Sequence, residues 1–484
     1  MTSGSFDPSI LRVIIPQLGL ILLGAVILVL DLLWRGDRRR ILAWISAAGF
    51  LLIGAAMFIF AVPPQKGVLV FGGMLRFDWL SFTFDLIFLF GGVITSLLMK
   101  NHEEAGKKGE FYLIMIIAVL GMTLMASSAD LIMLFLAVET TSIPLYILAS
   151  FLRKDAKSAE AGFKYLLYGA MTSALMLYGF SLLFGFAGTT QIYQIGNMIT
   201  SNQVGFVPVI VVIILILIGI GFKISAVPFH FWAPDVYEGS PSPVAGFLST
   251  ASKAAGFAVL IRILLVAFPF VASMWGIIIA VLAVASMTFG NLQAMNQKNI
   301  KRLLAYSSIA QAGYILIGIA SIHPIGIIGV VYYLIAYLVT NLTAFGVVTI
   351  VGKAIGSDEI KDYAGLSRRS PALALGLLAA LLSLGGIPPF AGFLGKIILF
   401  AAAIQVNMVW LAIIGILNSI IALYYYLVVL KVVYLNRSEG DEEPLVIPGS
   451  AKAAIIISVV GILVIGILFS PWFYLSYGAV ASMF

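Results

Sequence analysis

Four ionisable residues lie inside long apolar runs. Lys223 is set in VIILILIGIGFKISAVPFHFW, Lys253 in PVAGFLSTASKAAGFAVLI, Lys396 in LLSLGGIPPFAGFLGKIILF and Glu139 in DLIMLFLAVETTSIPLYIL. Runs of ~20 apolar residues are long enough to cross a bilayer as helices. A charge near mid-bilayer costs at least ~2.5–3.5 kcal/mol, so its presence needs a reason. An amine or carboxylate in such surroundings gains or loses a proton when its neighbours change. The chemistry open to these four residues is therefore proton carriage. The plainer reading is a side chain that snorkels to the headgroups or a static ion pair. From mid-depth a lysine stem hardly reaches the interface.

Weaker candidates surround them. Lys164 follows Glu160 by four residues, where an ordinary helical ion pair forms. His230 comes seven residues after Lys223, and Asp85 sits well inside its own apolar run. These three are possible relays. Arg262, Asp31 and Asp78 fall near run ends, and they read as snorkelling or interfacial residues. Tyr424, Tyr425 and Tyr426 read as packing and interface residues.

The rest of the chain must hold these groups in place. Of its 484 residues 62% are hydrophobic and 10% charged, with mean hydropathy +1.11. A soluble core cannot hide that much apolar surface, so the bilayer is the solvent and the fold is an all-α integral membrane protein. Fourteen apolar stretches approximate membrane crossings: 10–34, 41–62, 78–99, 111–127, 130–152, 160–187, 206–232, 243–267, 274–295, 300–319, 325–352, 371–402, 408–434 and 451–478. The first stretch follows Asp7 rather than a basic region and reads as a crossing, not a cleaved leader.

On this count twenty basic residues fall in the loops on one side, among them Arg38, Arg39 and Arg40. The other side has three, Arg12, Lys66 and Arg76. That bias puts the basic loops in the cytoplasm and both termini on the opposite side. It also accounts for the net charge of +7 without nucleic acid.

Two stretches carry prolines beside their lysines. Pro228 follows Lys223, and Pro388 and Pro389 precede Lys396. Proline removes an amide hydrogen and clashes with the preceding turn, so the seventh and twelfth helices are expected to be discontinuous. Broken helices leave free backbone groups that must line a cavity or wet path. Crossings 4–8 and 9–13 form two blocks of five, each with its break in the fourth member. An odd block length makes the second block inverted. The expected organisation is an N-terminal three-helix segment (1–110), a first repeat (111–267), a second, inverted repeat (268–434), and a C-terminal loop and helix (435–484).

No cysteine is present, and His102, His230 and His323 lie on different segments. No dinucleotide or phosphate-loop motif occurs. The chain itself is expected to bind no metal, nucleotide or redox cofactor.

From about Asp130 to Tyr434 the sequence resembles the antiporter-like membrane subunits of respiratory complex I, most closely the subunit N group. The resemblance rests on AVETTSIPLYILASF, FKYLLYGAMTSALMLYG, GFKISAVPFHFWAPDVYEGSPSPVAGFLSTASKAAGF, NIKRLLAYSSIAQAGY, DYAGLSRRSPALAL and SLGGIPPFAGFLGK. It implies that Glu139 pairs with Lys223, that Lys253 connects, and that Lys396 is the terminal lysine. It implies a proton-translocating subunit of NADH:quinone oxidoreductase. NADH, FMN, iron–sulfur clusters and quinone would sit on partner subunits. The neighbours would be other membrane subunits, in a bacterial plasma membrane rather than a thylakoid. A cation/proton antiporter subunit of the Mrp type, a hydrogenase membrane subunit and a non-transporting scaffold are the competing readings.

Overall fold

The structure, a computed structural model, describes residues 8–437 and 443–482. The outer ends of the 1–110 and 435–484 segments therefore lie partly outside the described residues. Among the described residues thirteen helices are long and apolar enough to cross a membrane.

Helices α1 (Ile15–Leu33), α2 (Leu42–Phe60) and α3 (Trp79–Met99) form the N-terminal segment. A small hairpin joins α2 to α3, with β1 (Val68–Val70) antiparallel to β2 (Leu75–Phe77) and Val68 opposite Phe77. Then come α4 (Gly109–Ser127), α5 (Leu131–Ala149) and α6 (Ala156–Ala187). A short helix, Ile192–Ser201, precedes α7a (Phe206–Ile224) and α7b (Trp232–Gly239). Helix α8 spans Ser242–Ala267. Helices α9 (Ala272–Ala294), α10 (Ile300–Ala320) and α11 (Pro324–Ile355) follow, then α12a (Pro371–Gly385), α12b (Ala391–Gln405) and α13 (Val409–Leu435). The chain closes with α14 (Gly449–Ile467) and α15 (Phe469–Ala481).

The two halves of α12 have 15 residues each, and at ~1.5 Å per residue neither crosses a bilayer alone. Laid in series, they account for the twelfth apolar stretch, 371–402, which is absent from the thirteen long helices. The last stretch departs from expectation. It is not one helix over 451–478 but two, parted at Leu468, three residues before Pro471. Helix α8 departs too, because π-helical turns at Leu248–Ser252 and Ile263–Ala267 interrupt it. Such turns carry no sequence mark as plain as proline.

Burial separates inner from outer helices. The apolar stretches of α3 and α8 are 89% buried, and those of α10 and α11 94%, whereas that of α6 is 33% buried. A helix apolar all round belongs in the interior. Lys253 and Arg262 of α8 and Ser307, Ser308 and Gln311 of α10 lie on these inner helices.

Candidate functional site

Both breaks expose backbone groups, and lysines sit at both. At the first, α7a ends on Ser225, which adopts a left-handed conformation (φ +58°). Lys223 is in the last turn of α7a, 5% exposed. Its ammonium donates to the Ser142 hydroxyl at 2.9 Å. Its stem passes close to Gly256 of α8, where a Cβ would stand 3.3 Å from Lys223 Cγ. The Phe222 carbonyl, which caps the Ser225 amide, also accepts from the Trp232 indole N–H at 3.0 Å, and the Val227 amide donates to Ser286 Oγ at 2.9 Å. The break is thus tied from both sides.

At the second break, α12a ends on Gly386 (φ +84°). Lys396, on α12b and 4% exposed, reaches back to those free carbonyls. Its Nζ donates to Leu384 O at 2.9 Å and Gly385 O at 3.4 Å, and to Ser419 Oγ at 3.3 Å. It also lies 4.3 Å from the centre of the Tyr314 ring. A cation over a helix C-terminus and an aromatic face is held without any carboxylate.

Between the breaks lies Lys253, 2% exposed, directly after the π turn of α8. It donates to Ser308 Oγ at 2.6 Å and Ser308 O at 2.9 Å, both on α10. All three lysines are buried, and among the described residues none has a carboxylate within 4.0 Å.

Glu139 differs from expectation. It is half-buried on α5, and no ion pair joins it to Lys223. One of its oxygens, Oε1, is buried without a hydrogen-bond partner. Ser142, one turn further along α5, accepts the lysine's hydrogen bond instead and donates to Val138 O at 2.7 Å. The exposed stripe of α5, with Leu136 and Ile143 more than half exposed, flanks Glu139.

The three weaker candidates are scattered. Lys164 belongs to a partly exposed ion network. It meets Glu160 at 2.7 Å and Asp235 at 2.5 Å, and Arg302 meets Asp235 at 2.7 Å and Glu238 at 2.8 Å. That network fastens α7b to α6 and α10. His230 lies in the first break, 3% exposed, with Nδ1 unpartnered and its ring against Phe231 and Phe289. Asp85 is 4% exposed, and its Oδ1 has no hydrogen-bond partner.

Other residues read differently in the structure than in the sequence. Asp78 and Arg262 do not snorkel; they are 0% and 2% exposed and form a two-pronged pair at 2.9 and 3.1 Å. Arg262 also donates to Tyr193 Oη at 2.5 Å and Ala126 O at 2.8 Å. Tyr425 and Tyr426 are buried and hydrogen-bonded, while Tyr424 is 58% exposed. Neutral polar residues inside apolar spans (Ser142, Asn291, Ser307, Ser308, Gln311, Asn418) need buried partners and so map the polar interior. Among the described residues no group of three or more His, Asp or Glu could hold a metal ion.

Two broken helices, each with a buried lysine beside its break, in a multi-pass bundle, define the class: an antiporter-like integral membrane protein. A family profile described as "NADH:quinone oxidoreductase/Mrp antiporter, TM" matches residues 128–422. The NADH-quinone oxidoreductase subunit N of Moorella thermoacetica is 45% identical over 93% of this chain and 94% of its own length. A chain of respiratory complex I from Thermus thermophilus superposes with TM-score 0.79 and 33% identity, over 94% of this chain and 97% of that one. A chain of the Mrp complex from Dietzia sp. superposes with TM-score 0.84 over 98% of this chain and 97% of that one, but at 21% identity it shares the fold alone. The chain belongs to the NADH-quinone oxidoreductase subunit N family.

Proposed function

We infer that this chain is a proton-translocating membrane subunit of NADH:quinone oxidoreductase, in a bacterial plasma membrane. Lys223, Lys253 and Lys396 carry the proton, and Glu139 biases the first of them. The observation that carries this reading is the state of the lysines. Each is buried, held only by hydroxyls, carbonyls or an aromatic face, with no carboxylate in contact. A buried ammonium with neutral partners alone is poorly compensated. Its proton is therefore released when those partners shift, and the protonation state can follow an event elsewhere in the complex.

Glu139 supports coupling to a neighbour. A carboxylate beside an exposed apolar stripe is costly against acyl chains, so α5 fits a protein surface: another membrane subunit. NADH oxidation and quinone reduction take place on partner subunits, together with FMN and the iron–sulfur clusters. The division at residues 110, 267 and 434 follows the same scheme, with one break in each five-helix repeat. The 45% identity to a subunit N favours this reading over the Mrp one, whose structure shares the fold at 21% identity.

The test is complementation. Membranes lacking this chain should lose NADH-driven proton uptake, and the intact chain should restore it. A Lys223→Met chain should restore assembly but not full uptake. Uptake equal to that of the intact chain would remove Lys223 from the path.

A further inference from the structure

The loop between α1 and α2 is short, basic and tied down. Residues Gly36–Ile41 form a single-turn helix with three arginines. The two carboxylates beside it are already engaged. Asp31 meets Arg39 at 3.2 Å and accepts from the Gly109 amide of α4 at 3.1 Å. Asp37 meets Lys107 at 2.6 Å and Arg40 at 3.5 Å. Arg39 also caps α1 by donating to Trp34 O at 2.9 Å, and Arg40 donates to Lys100 O, at the end of α3, at 3.3 Å. These contacts gather the ends of α1, α3 and α4 at one corner.

Three cations there have no carboxylate within 4.0 Å among the described residues: Arg35, Arg38 and Lys100. Arg35 and Arg38 are exposed. The Arg38 guanidinium lies 5.2 Å from the centre of the Trp34 ring, and the Lys100 ammonium 5.5 Å from that of Trp44. A cation over an indole face keeps its N–H donors for another partner. Toward the bilayer, the ends of the same two helices are bare and apolar. Leu32 and Leu33 are 74% and 71% exposed, and Ile41 and Trp44 are exposed as well.

We propose that this corner binds the headgroup of an anionic phospholipid, in the leaflet on the side of the basic loops, with Arg35 and Arg38 on its phosphate and Lys100 adding to the positive field. Three observations choose the occupant. The unpaired charge is positive, and guanidinium groups match phosphate oxygens. Two tryptophans stand at the helix ends, the level at which indoles settle between headgroups and acyl chains. The exposed leucines below the arginines suit an acyl chain, whereas a soluble phosphate would leave them uncovered. The position bears on stability too. The apolar stretches of α1 and α2 are only 33% and 39% buried, against 89% for α3, so a lipid held here adds a contact where packing is thin.

The experiment is thermal melting of the purified full-length chain in a neutral detergent, titrated with phosphatidylglycerol, phosphatidylcholine or inorganic phosphate. Phosphatidylglycerol is expected to raise the midpoint, as a ligand of the folded state does, and the other two to leave it unchanged. Arg35→Gln and Arg38→Gln should melt like the intact chain without lipid. Each should need about fivefold more phosphatidylglycerol for half the shift. Arg38→Lys, which keeps the charge, should need less than Arg38→Gln. Lys298→Gln combined with Lys361→Gln removes two charges from other basic loops and should leave the titration as it was. Equal weakening in that control makes the effect diffuse and overturns the site. An equal shift with phosphatidylcholine, or one with inorganic phosphate alone, overturns it too. The chain has no cysteine of its own, so Arg35→Cys supplies a single thiol for the whole complex. Labelling of that thiol by a membrane-impermeant maleimide in both the isolated chain and the assembled complex supports a lipid-facing corner. Labelling in the isolated chain alone assigns the corner to a partner subunit and overturns the lipid site.

Discussion

Lys223 donates to Ser142 at 2.9 Å, and Ser142 is one helical turn from Glu139. The lysine is therefore held by a neutral hydroxyl, with the carboxylate close by on the same helix but out of contact. In this arrangement Glu139 acts on Lys223 through its field, and a shift of α5 by one turn of side-chain reach would convert field into ion pair. At an effective dielectric of ~20 and ~4 Å, such contact amounts to about 4 kcal/mol. That is enough to decide whether the lysine keeps its proton.

A double-mutant cycle follows from this. Glu139→Gln and Lys223→Met, alone and together, are expected to give non-additive losses in proton translocation, with a coupling of about 0.5–3 kcal/mol in effective terms. Glu139→Asp should keep part of the effect. Ser142→Ala should remove one hydrogen bond to a charged group and weaken pumping without preventing assembly. Additive losses would mean that the two residues work independently.

Lys396 gives the second prediction. Lys396→Ala removes the cation from the α12a carbonyls, and translocation by the assembled complex should fall. Lys396→Arg keeps a cation at those carbonyls and should assemble as well as the intact chain while retaining more activity than alanine. Initial rates of proton uptake, set against electron transfer, decide it. Equal rates in alanine and intact chains would place the terminal step elsewhere.

The buried pair Asp78–Arg262 concerns stability rather than transport. It fastens the start of α3 to the end of α8, with Ala126 of α4 drawn in. Removing Arg262 leaves the buried Asp78 with only Arg76, at 3.3 Å, and breaking a buried pair costs up to about 3–5 kcal/mol. Arg262→Met should therefore lower the thermal stability of the detergent-solubilised chain sharply. Arg262→Met combined with Asp78→Leu should recover much of the loss. If Arg262→Met melts like the intact chain, the pair is not holding α3 to α8.

Orientation is the fourth prediction. Twenty basic residues on one set of loops against three on the other put both termini opposite the Arg38–Arg40 loop. Tags at either end should react with membrane-impermeant reagents only from outside the cytoplasm. A cytoplasmic C-terminus would mean an odd number of crossings.

Much of this was legible in the sequence, for physical reasons. Apolar length exposes membrane helices, and a proline beside a lysine exposes a broken one; Pro228 and Pro389 both mark real breaks. Charge inside an apolar run is conspicuous, so Lys223, Lys253 and Lys396 stand out at once. What hid was whatever depends on a partner distant in sequence. Arg262 looks like a snorkelling residue until Asp78, 184 positions earlier, is seen against it. The π turn before Lys253 leaves no residue signature. Ser142, Ser308 and Gln311 are small or neutral, and nothing local separates a hydroxyl that bonds its own helix from one that holds a lysine. The Glu139–Lys223 ion pair was implied by family resemblance, and a resemblance passes on residue types more faithfully than distances.

The central claim is that protons cross the membrane along the buried lysines of this chain, and Lys253 is its middle. The direct measurement is the number of protons translocated per electron by the whole complex in sealed vesicles, with Lys253→Met in place of the intact chain. The account predicts a complex that assembles and passes electrons from NADH to an artificial acceptor at the normal rate, but translocates fewer protons per electron. An unchanged ratio in an assembled Lys253→Met complex would contradict it.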